Sequence, residues 1–166
     1  MQPLHETDRL ILTPLNTSDD EFILELVNTP QWIQFIGDRK IASAQDAVTY
    51  IRKILDAPAI RYWVVKLKDG ATPVGIITFI KKDYLPHHDL GFAFLPRYNK
   101  QGYAFESAKK ILTDILNEPA HKKVLATCKE GNINSIRLLE KLGFEFESEM
   151  THGEDVLMVF AVQWTL

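Results

Sequence analysis

Pro96-Arg-Tyr-Asn-Lys-Gln-Gly-Tyr-Ala-Phe-Glu-Ser107 decides how this chain is read: a strand breaks there at a proline, a polar loop follows, and a helix begins near Gly102. Strand, tight loop and helix in succession leave backbone N–H groups aimed at one point. Glycine lets an anion approach the backbone because no Cβ stands in the way. A helix N-terminus adds roughly half a positive charge from its aligned peptides. The segment Asn99 to Ala104 thus reads as a loop that suits a pyrophosphate, with Arg97 and Lys100 as cationic helpers. Taken alone, it fits equally an ordinary loop in which Gly102 eases helix entry.

Immediately upstream, Asp89-Leu-Gly-Phe-Ala-Phe94 sets Leu90, Phe92 and Phe94 on one face of a strand and Asp89, Gly91 and Ala93 on the other, one bulky face and one small. A polar loop, Tyr84 to His88, precedes it. Tyr62 to Leu67 and Val74 to Ile80 are apolar on both faces and joined by Lys68 to Thr72, a hairpin of central strands that helices must cover on both sides. Nearer the start, Arg9 to Pro14 is a strand. Thr17 to Asp20 supplies N-cap side chains for a helix bearing Phe22, Ile23, Leu26 and Val27. A second short helix spans Gln31 to Gly37, and a third Ser43 to Ala57, capped by Ser43 with Asp46 three residues on.

Downstream, Gly102 to Leu116 aligns Ala104, Ala108, Ile111, Leu112 and Ile115 on one face of a helix. Val124 to Cys128 is a strand, and Asn132 to Leu142 a helix closed by Gly143 as a left-handed cap. Phe144 to Met150 and Asp155 to Trp164 form an antiparallel pair around a turn at Thr151 to Glu154. This order predicts an α/β (α+β) fold in three layers, a mixed sheet with helices on both faces.

With 166 residues, 46% hydrophobic and 25% charged, the chain is expected to form one compact domain over residues 1–166. A formal net charge of -3 and a pI near 5.9 leave no diffuse basic field, so no nucleic-acid partner is expected and phosphate recognition must be local. The sequence has no run of 18 apolar residues, and Met1 to Arg9 is polar, so a cytoplasmic protein without membrane attachment is expected. Cys128 is the single cysteine, which excludes an internal disulfide and a cysteine metal cluster; it reads as a small strand residue, and no metal site is expected.

Asn132-Ile-Asn-Ser-Ile-Arg-Leu-Leu-Glu-Lys-Leu-Gly-Phe144 lies about thirty residues beyond the phosphate loop. Together the two segments resemble the GNAT superfamily of N-acyltransferases, whose (Gln/Arg)-x-x-Gly-x-(Gly/Ala) coenzyme A signature has Asn99, Gly102 and Ala104 at its three marked positions in this chain. The closer resemblance is to its RimJ/RimL-type branch, through Gly102-Tyr-Ala-Phe-Glu-Ser107, Asn132-Ile-Asn-Ser135, Glu6-Thr-Asp-Arg-Leu10 and Asp89-Leu-Gly91. The likeness spans nearly the whole chain. It implies a mostly antiparallel sheet splayed between the fourth and fifth strands, Asp89 to Phe94 and Val124 to Cys128. The pantetheine arm of acetyl-CoA would enter there as an added strand along Phe92, Ala93 and Phe94.

The resemblance also implies that Arg97, Asn99, Lys100, Gln101, Gly102, Tyr103 and Ala104 hold the diphosphate, with Asn132 and Ser135 nearer the thiol. The reaction it implies is direct attack of a primary amine, on a protein N-terminus or a small molecule, on the acetyl thioester, by a monomer or homodimer. Most of the superfamily has a tyrosine as general acid where this chain has Leu139. By resemblance to the branch, Ser135 takes that role and Asp89 is the candidate base; each also has a purely structural reading, as a helix-start residue and a strand-start carboxylate. A modest base suits an α-amine of pKa about 8 better than a lysine near 10.4. His87 and His88 flank the strand and read either as aids to proton removal or as solvated loop residues, and Trp32 and Phe35 either as lining of the acceptor pocket or as core aromatics. A rival reading is a non-catalytic acyl-CoA-binding domain, for which Leu139 speaks. A nucleotide-binding loop of the Gly-x-x-x-x-Gly-Lys-Ser/Thr type is absent from the sequence.

Overall fold

A computed structural model describes residues 4–164. Among these, eight strands form one sheet: β1 (His5–Glu6), β2 (Leu10–Pro14), β3 (Ile60–Leu67), β4 (Pro73–Ile80), β5 (Asp89–Phe94), β6 (Lys123–Lys129), β7 (Glu145–His152) and β8 (Asp155–Gln163). Their order across the sheet is β1-β2-β3-β4-β5-β6-β8-β7. Every neighbouring pair is antiparallel except β5 and β6, which are parallel. The α-helices are α1 (Asp20–Val27), α2 (Pro30–Phe35), α3 (Ala44–Leu55), α4 (Tyr103–Leu116) and α5 (Ile133–Lys141). None of them is long and apolar enough to cross a membrane.

The apolar-on-both-faces strands sort into two cores. Tyr62, Val64 and Ile76 face α1 and α3 through Ile23, Leu26 and Ile51, whereas Trp63, Val65, Ile77 and Phe79 face α4 through Ala108 and Ile111. Burial on both sides of a strand pair is the physical reason for three layers. In β5 the two faces behave as the alternation requires: Leu90, Phe92 and Phe94 join the α4 side and Ala93 the other.

Several boundaries differ from the sequence reading. The short β1 is a strand that the polar opening did not signal, because its two residues pair with Ile11 and Leu12 without any apolar pattern of their own. Asn16, not the Thr17–Asp20 group, caps the first helical turn, accepting from Ser18 N–H at 3.0 Å. Pro30 begins α2 with Thr29 as its cap. The last hairpin turns on Gly153 and Glu154 alone, Gly153 at φ +63°, so Thr151 and His152 belong to β7. Ser43 does cap α3, with the Asp46 N–H at 3.1 Å. Gly143, at φ +98°, does close α5: its N–H donates to Glu140 O and that of Phe144 to Leu139 O, both at 3.0 Å.

Gly75 and Phe94 are cross-strand partners, and a Cβ on Gly75 would lie 2.6 Å from Cγ and Cε2 of Phe94. The Phe94 ring therefore lies over a strand position that only glycine can supply. Gly75→Ala should cost about 1–3 kcal/mol in chemical denaturation through overpacking. The double variant with Phe94→Leu should lose less than the sum of the two singles; additive losses would show that the ring does not meet this position.

Candidate active site

A cleft of about 540 Å³ opens where β5 and β6 part. The two strands share one register pair, Asp89 with Leu125, next to a hydrogen bond from Leu125 N–H to His88 O at 2.9 Å. Beyond it β5 stays paired to β4 along its whole length and β6 to β8. Backbone groups alternate in direction along a strand. Those of Phe92 and Phe94 therefore turn toward β6, where no strand meets them, and a buried unpaired backbone group needs water or a ligand.

Side chains pin the root of this wedge. The Asp89 carboxylate, 4% exposed, accepts from Thr127 Oγ1 at 2.8 Å across the strand gap and pairs with Lys82 Nζ at 2.7 Å. Burial pushes the Asp89 carboxyl above the usual aspartate range, although Lys82 and Thr127 pull it partly back. Burial alone would lower the Lys82 ammonium, but the adjacent carboxylate outweighs it and the pKa is raised. Gly91, two residues on, has no room for a side chain, since a Cβ would stand 2.6 Å from Thr78 Oγ1. Thr78, Gly91 and Asp89 all line the cleft.

At the other end of the cleft lies the start of α4. Gly102 occupies its N-cap position at φ +84° with no side chain capping the helix, and Lys100 is also left-handed at φ +62°. The first N–H groups of α4 are thus left for another acceptor. Arg9 braces this loop from outside. Its Nη1 donates to Gln101 O at 2.9 Å, its guanidinium lies 4.5 Å from the Tyr103 ring centroid, and its Nε pairs with Glu106 at 2.7 Å. Glu106 also accepts from Thr7 Oγ1 at 2.5 Å and from Arg9 N–H at 3.0 Å. Burial would raise the Glu106 carboxyl, but the Thr7 and Arg9 bonds prevail and hold it below the usual glutamate range.

On the cleft's third side, Asn132 caps α5, its Oδ1 accepting from Ser135 N–H at 3.4 Å. Among the described residues no group of three or more histidine, cysteine, aspartate or glutamate side chains is arranged to hold a metal ion.

The sequence model described as an acetyltransferase (GNAT) domain matches residues 9–145. The chain belongs to the GNAT acetyltransferase family. It is 29% identical over 143 residues to the uncharacterized N-acetyltransferase YnaD of Bacillus subtilis (strain 168), covering 85% of this chain and 82% of that protein. Its fold matches RimL, a ribosomal L7/L12 alpha-N-protein acetyltransferase, with a TM-score of 0.84 at 13% identity over 99% of this chain and 96% of the other. It also matches the ribosomal-protein-S5-alanine acetyltransferase of Vibrio fischeri with a TM-score of 0.83 at 14% identity, over 98% of this chain and 97% of the other.

Within this GNAT domain the cleft gathers most of the residues singled out from the sequence. Phe92, Ala93 and Phe94 line it from β5; Asn99, Lys100, Gly102, Tyr103 and Ala104 from the loop and α4; Asn132 and Ser135 from α5. Trp32 and Phe35 also line it. Arg97 does not: it pairs with Glu25 of α1, and its backbone O accepts from the Gln101 side chain at 3.1 Å, so both side chains are engaged outside the cleft. Proximity in sequence to a phosphate loop is weaker than an ion pair 72 residues away.

His88 is also elsewhere, stacked on Phe79 at 4.6 Å and edge-on to His121 at 4.6 Å, with burial first and then His121 lowering its pKa. His87 is exposed and does not line the cleft. Leu139, at the usual tyrosine position, lines the cleft but is 1% exposed and packed in the core. Burial pushes the Cys128 thiol up to about 11, which keeps it neutral.

Arg9, Lys82 and Thr127 were not singled out. Arg9 sat within a quoted motif, yet its partner is 97 residues away, and nothing in a single sequence marks that pairing.

Gly102→Glu should abolish coenzyme A binding in calorimetry while the circular dichroism spectrum stays native, because it strains a left-handed residue and brings a carboxylate to the open amides. Glu106→Ala, which releases Arg9 from the loop, should weaken coenzyme A binding about tenfold; unchanged affinity would mean that the loop holds its shape without that brace.

Proposed function

We propose that the chain, as one domain, is an acetyl-CoA-dependent N-acetyltransferase of RimJ/RimL type that transfers acetyl to a primary amine on a peptide N-terminus or small molecule. The observation that carries this reading is a single cleft joining uncapped helix amides at α4 to an unpaired strand edge on β5. The two features fit the two chemically distinct halves of the donor. The diphosphate sits on the amides at Gly102 to Ala104, with Lys100 beside them. The amides of the pantetheine arm bond to Phe92 and Phe94 as an additional strand does, bringing the thioester toward Ser135 and Asp89.

The amine nitrogen attacks the thioester carbonyl carbon and its proton passes to Asp89, which later releases it to solvent. The C–S bond breaks, and the Ser135 hydroxyl passes a proton to the departing thiolate while taking one from solvent, which restores the serine and balances the proton that Asp89 gives up. Asp89 suits the role because burial raises its basicity while Lys82 and Thr127 hold the carboxylate in one orientation. Ser135 suits its role because it sits in the first turn of α5, where the helix dipole favours developing negative charge. The acceptor class draws on the fold shared with RimL and the S5-alanine enzyme, whose names specify protein substrates.

Buried Leu139 favours the rival reading, a domain that binds acyl-CoA without turnover. Thiol release over a panel of amines and N-terminal peptides separates the two: tight binding with no release on any acceptor would leave only the binding domain. Ser135→Ala should lower kcat about 10²-fold with acetyl-CoA affinity retained.

Asp89 works only when ionised, and that form is lost as pH falls through its raised pKa. The acid limb of kcat/KM, expressed per neutral amine so that the substrate's own ionisation drops out, should therefore lie above the 3.8 of an ordinary aspartate and vanish in Asp89→Asn, along with about 10²-fold of the rate. An acid limb that persists on that scale in Asp89→Asn would assign the base to another group.

A further inference from the structure

The charges that line the cleft are mostly of one sign. The cleft is lined by four cationic side chains, Arg39, Lys82, Lys100 and Lys141, and by a single carboxylate, Asp89. That carboxylate is already paired with Lys82 at 2.7 Å. Lys100 belongs to the phosphate loop, and Lys141 lies 4.2 Å from the ring centroid of Phe105, near the start of α4. Arg39 is different. It comes from the segment between α2 and α3, on the face opposite α4, and has no carboxylate partner among the described residues.

Its guanidinium stands 6.0 Å from the Trp32 ring centroid, a placement an aromatic face favours. Trp32 is 4% exposed, lines the cleft, and has an Nε1–H that is buried with no hydrogen-bond partner among the described residues. Buried polar groups are almost always satisfied. Arg39 also acts on the Tyr62 hydroxyl, opposing the rise that burial imposes on it, and both side chains line the cleft. Lys129 Nζ, at the end of β6, donates to Gln34 O at 3.3 Å and ties α2 to that strand. An exposed guanidinium with no carboxylate partner, over an aromatic ring in a cleft whose one carboxylate is already paired, is complementary to an anion. It opposes a polycation.

From this juxtaposition of Arg39 and Trp32 we infer that the acceptor is a small amine that also bears a carboxylate, the carboxylate being held by Arg39, whose guanidinium the Trp32 ring positions. This narrows the acceptor within the transfer reading and rests on it. Arg39 is then a specificity residue for the acceptor and takes no part in holding the donor. The aromatic and aliphatic walls, Phe35, Tyr62 and Ile76, take the carbon skeleton between the two charged ends.

Steady-state thiol release at saturating acetyl-CoA tests this with L-amino acids, β-alanine and 4-aminobutyrate, each paired with its carboxamide, and with spermidine and an N-terminal peptide as controls. The amide amine is the less basic of each pair, so chemistry alone favours the amide. The expected result is a kcat/KM at least tenfold higher for one or more carboxylates than for the matching amide. Arg39→Gln should erase that preference through KM, with the amide rate, the acetyl-CoA KM and the melting temperature unchanged. Arg39→Lys should restore part of it, and Trp32→Phe should weaken it.

Preference for spermidine, for the peptide or for the amides would overturn the inference, as would an Arg39→Gln loss equal on both members of a pair. If the wild type binds acetyl-CoA yet releases thiol with no acceptor, the transfer reading fails separately. Calorimetry of the same acid and amide pairs in the presence of coenzyme A then decides this one: acid binding lost in Arg39→Gln supports it, and no acid preference in the wild type overturns it.

Discussion

One buried carboxylate sets the geometry of this molecule. Asp89 stands where two half-sheets meet, β1 to β5 on one side and β6, β8 and β7 on the other, and it bonds across the gap to Thr127 while neutralised by Lys82. A charge in the interior is tolerated only when paired and hydrogen-bonded, and both partners lie at the wedge root. The consequence is a fixed apex. The strands touch at Asp89 and Leu125 and diverge beyond it, each held along its other edge by β4 or β8. The cleft is therefore walled by two facing strand edges whose backbone groups have no strand partner.

A second constraint lies at the far end of the cleft and is electrostatic. The α4 N-terminus offers uncapped amides at a left-handed glycine, which in the absence of a side-chain cap need an acceptor from elsewhere. Arg9 and Glu106 hold the loop in place from its outer side, and the guanidinium adds a positive charge close to the same turn. The Arg9–Glu106 pair is partly exposed, so its Coulomb attraction alone is worth little. Its effect lies in geometry: Glu106 gathers Thr7, the Arg9 backbone and the Arg9 side chain on one carboxylate, and so ties the start of the chain to the first turn of α4.

The layers and most elements were legible because they rest on local periodicity. The two-sided apolar runs of β3 and β4, the small and bulky faces of β5, the Ser43 cap and the Gly143 stop all appear in the structure where the residues place them. The parting of β5 from β6 was expected only through family resemblance, since no pattern within either strand distinguishes a paired edge from an open one. What stayed hidden depends on pairs far apart in sequence. Arg97 reads from the sequence as a phosphate ligand, and nothing near it in the chain marks its ion pair with Glu25; Lys82 and Thr127 have no signal beyond being polar residues near strand ends. Arg39 lies in the least patterned segment of the chain, and its significance comes from what surrounds it in space.

A crystal structure of the chain with coenzyme A bound tests the central claim most directly. The account predicts a diphosphate accepting hydrogen bonds from the amides around Gly102 to Ala104, a pantetheine arm bonded to the backbone of Phe92 and Phe94, and the sulfur within reach of Ser135. A diphosphate bound elsewhere, or β5 and β6 paired along their length with the arm outside the wedge, would contradict it.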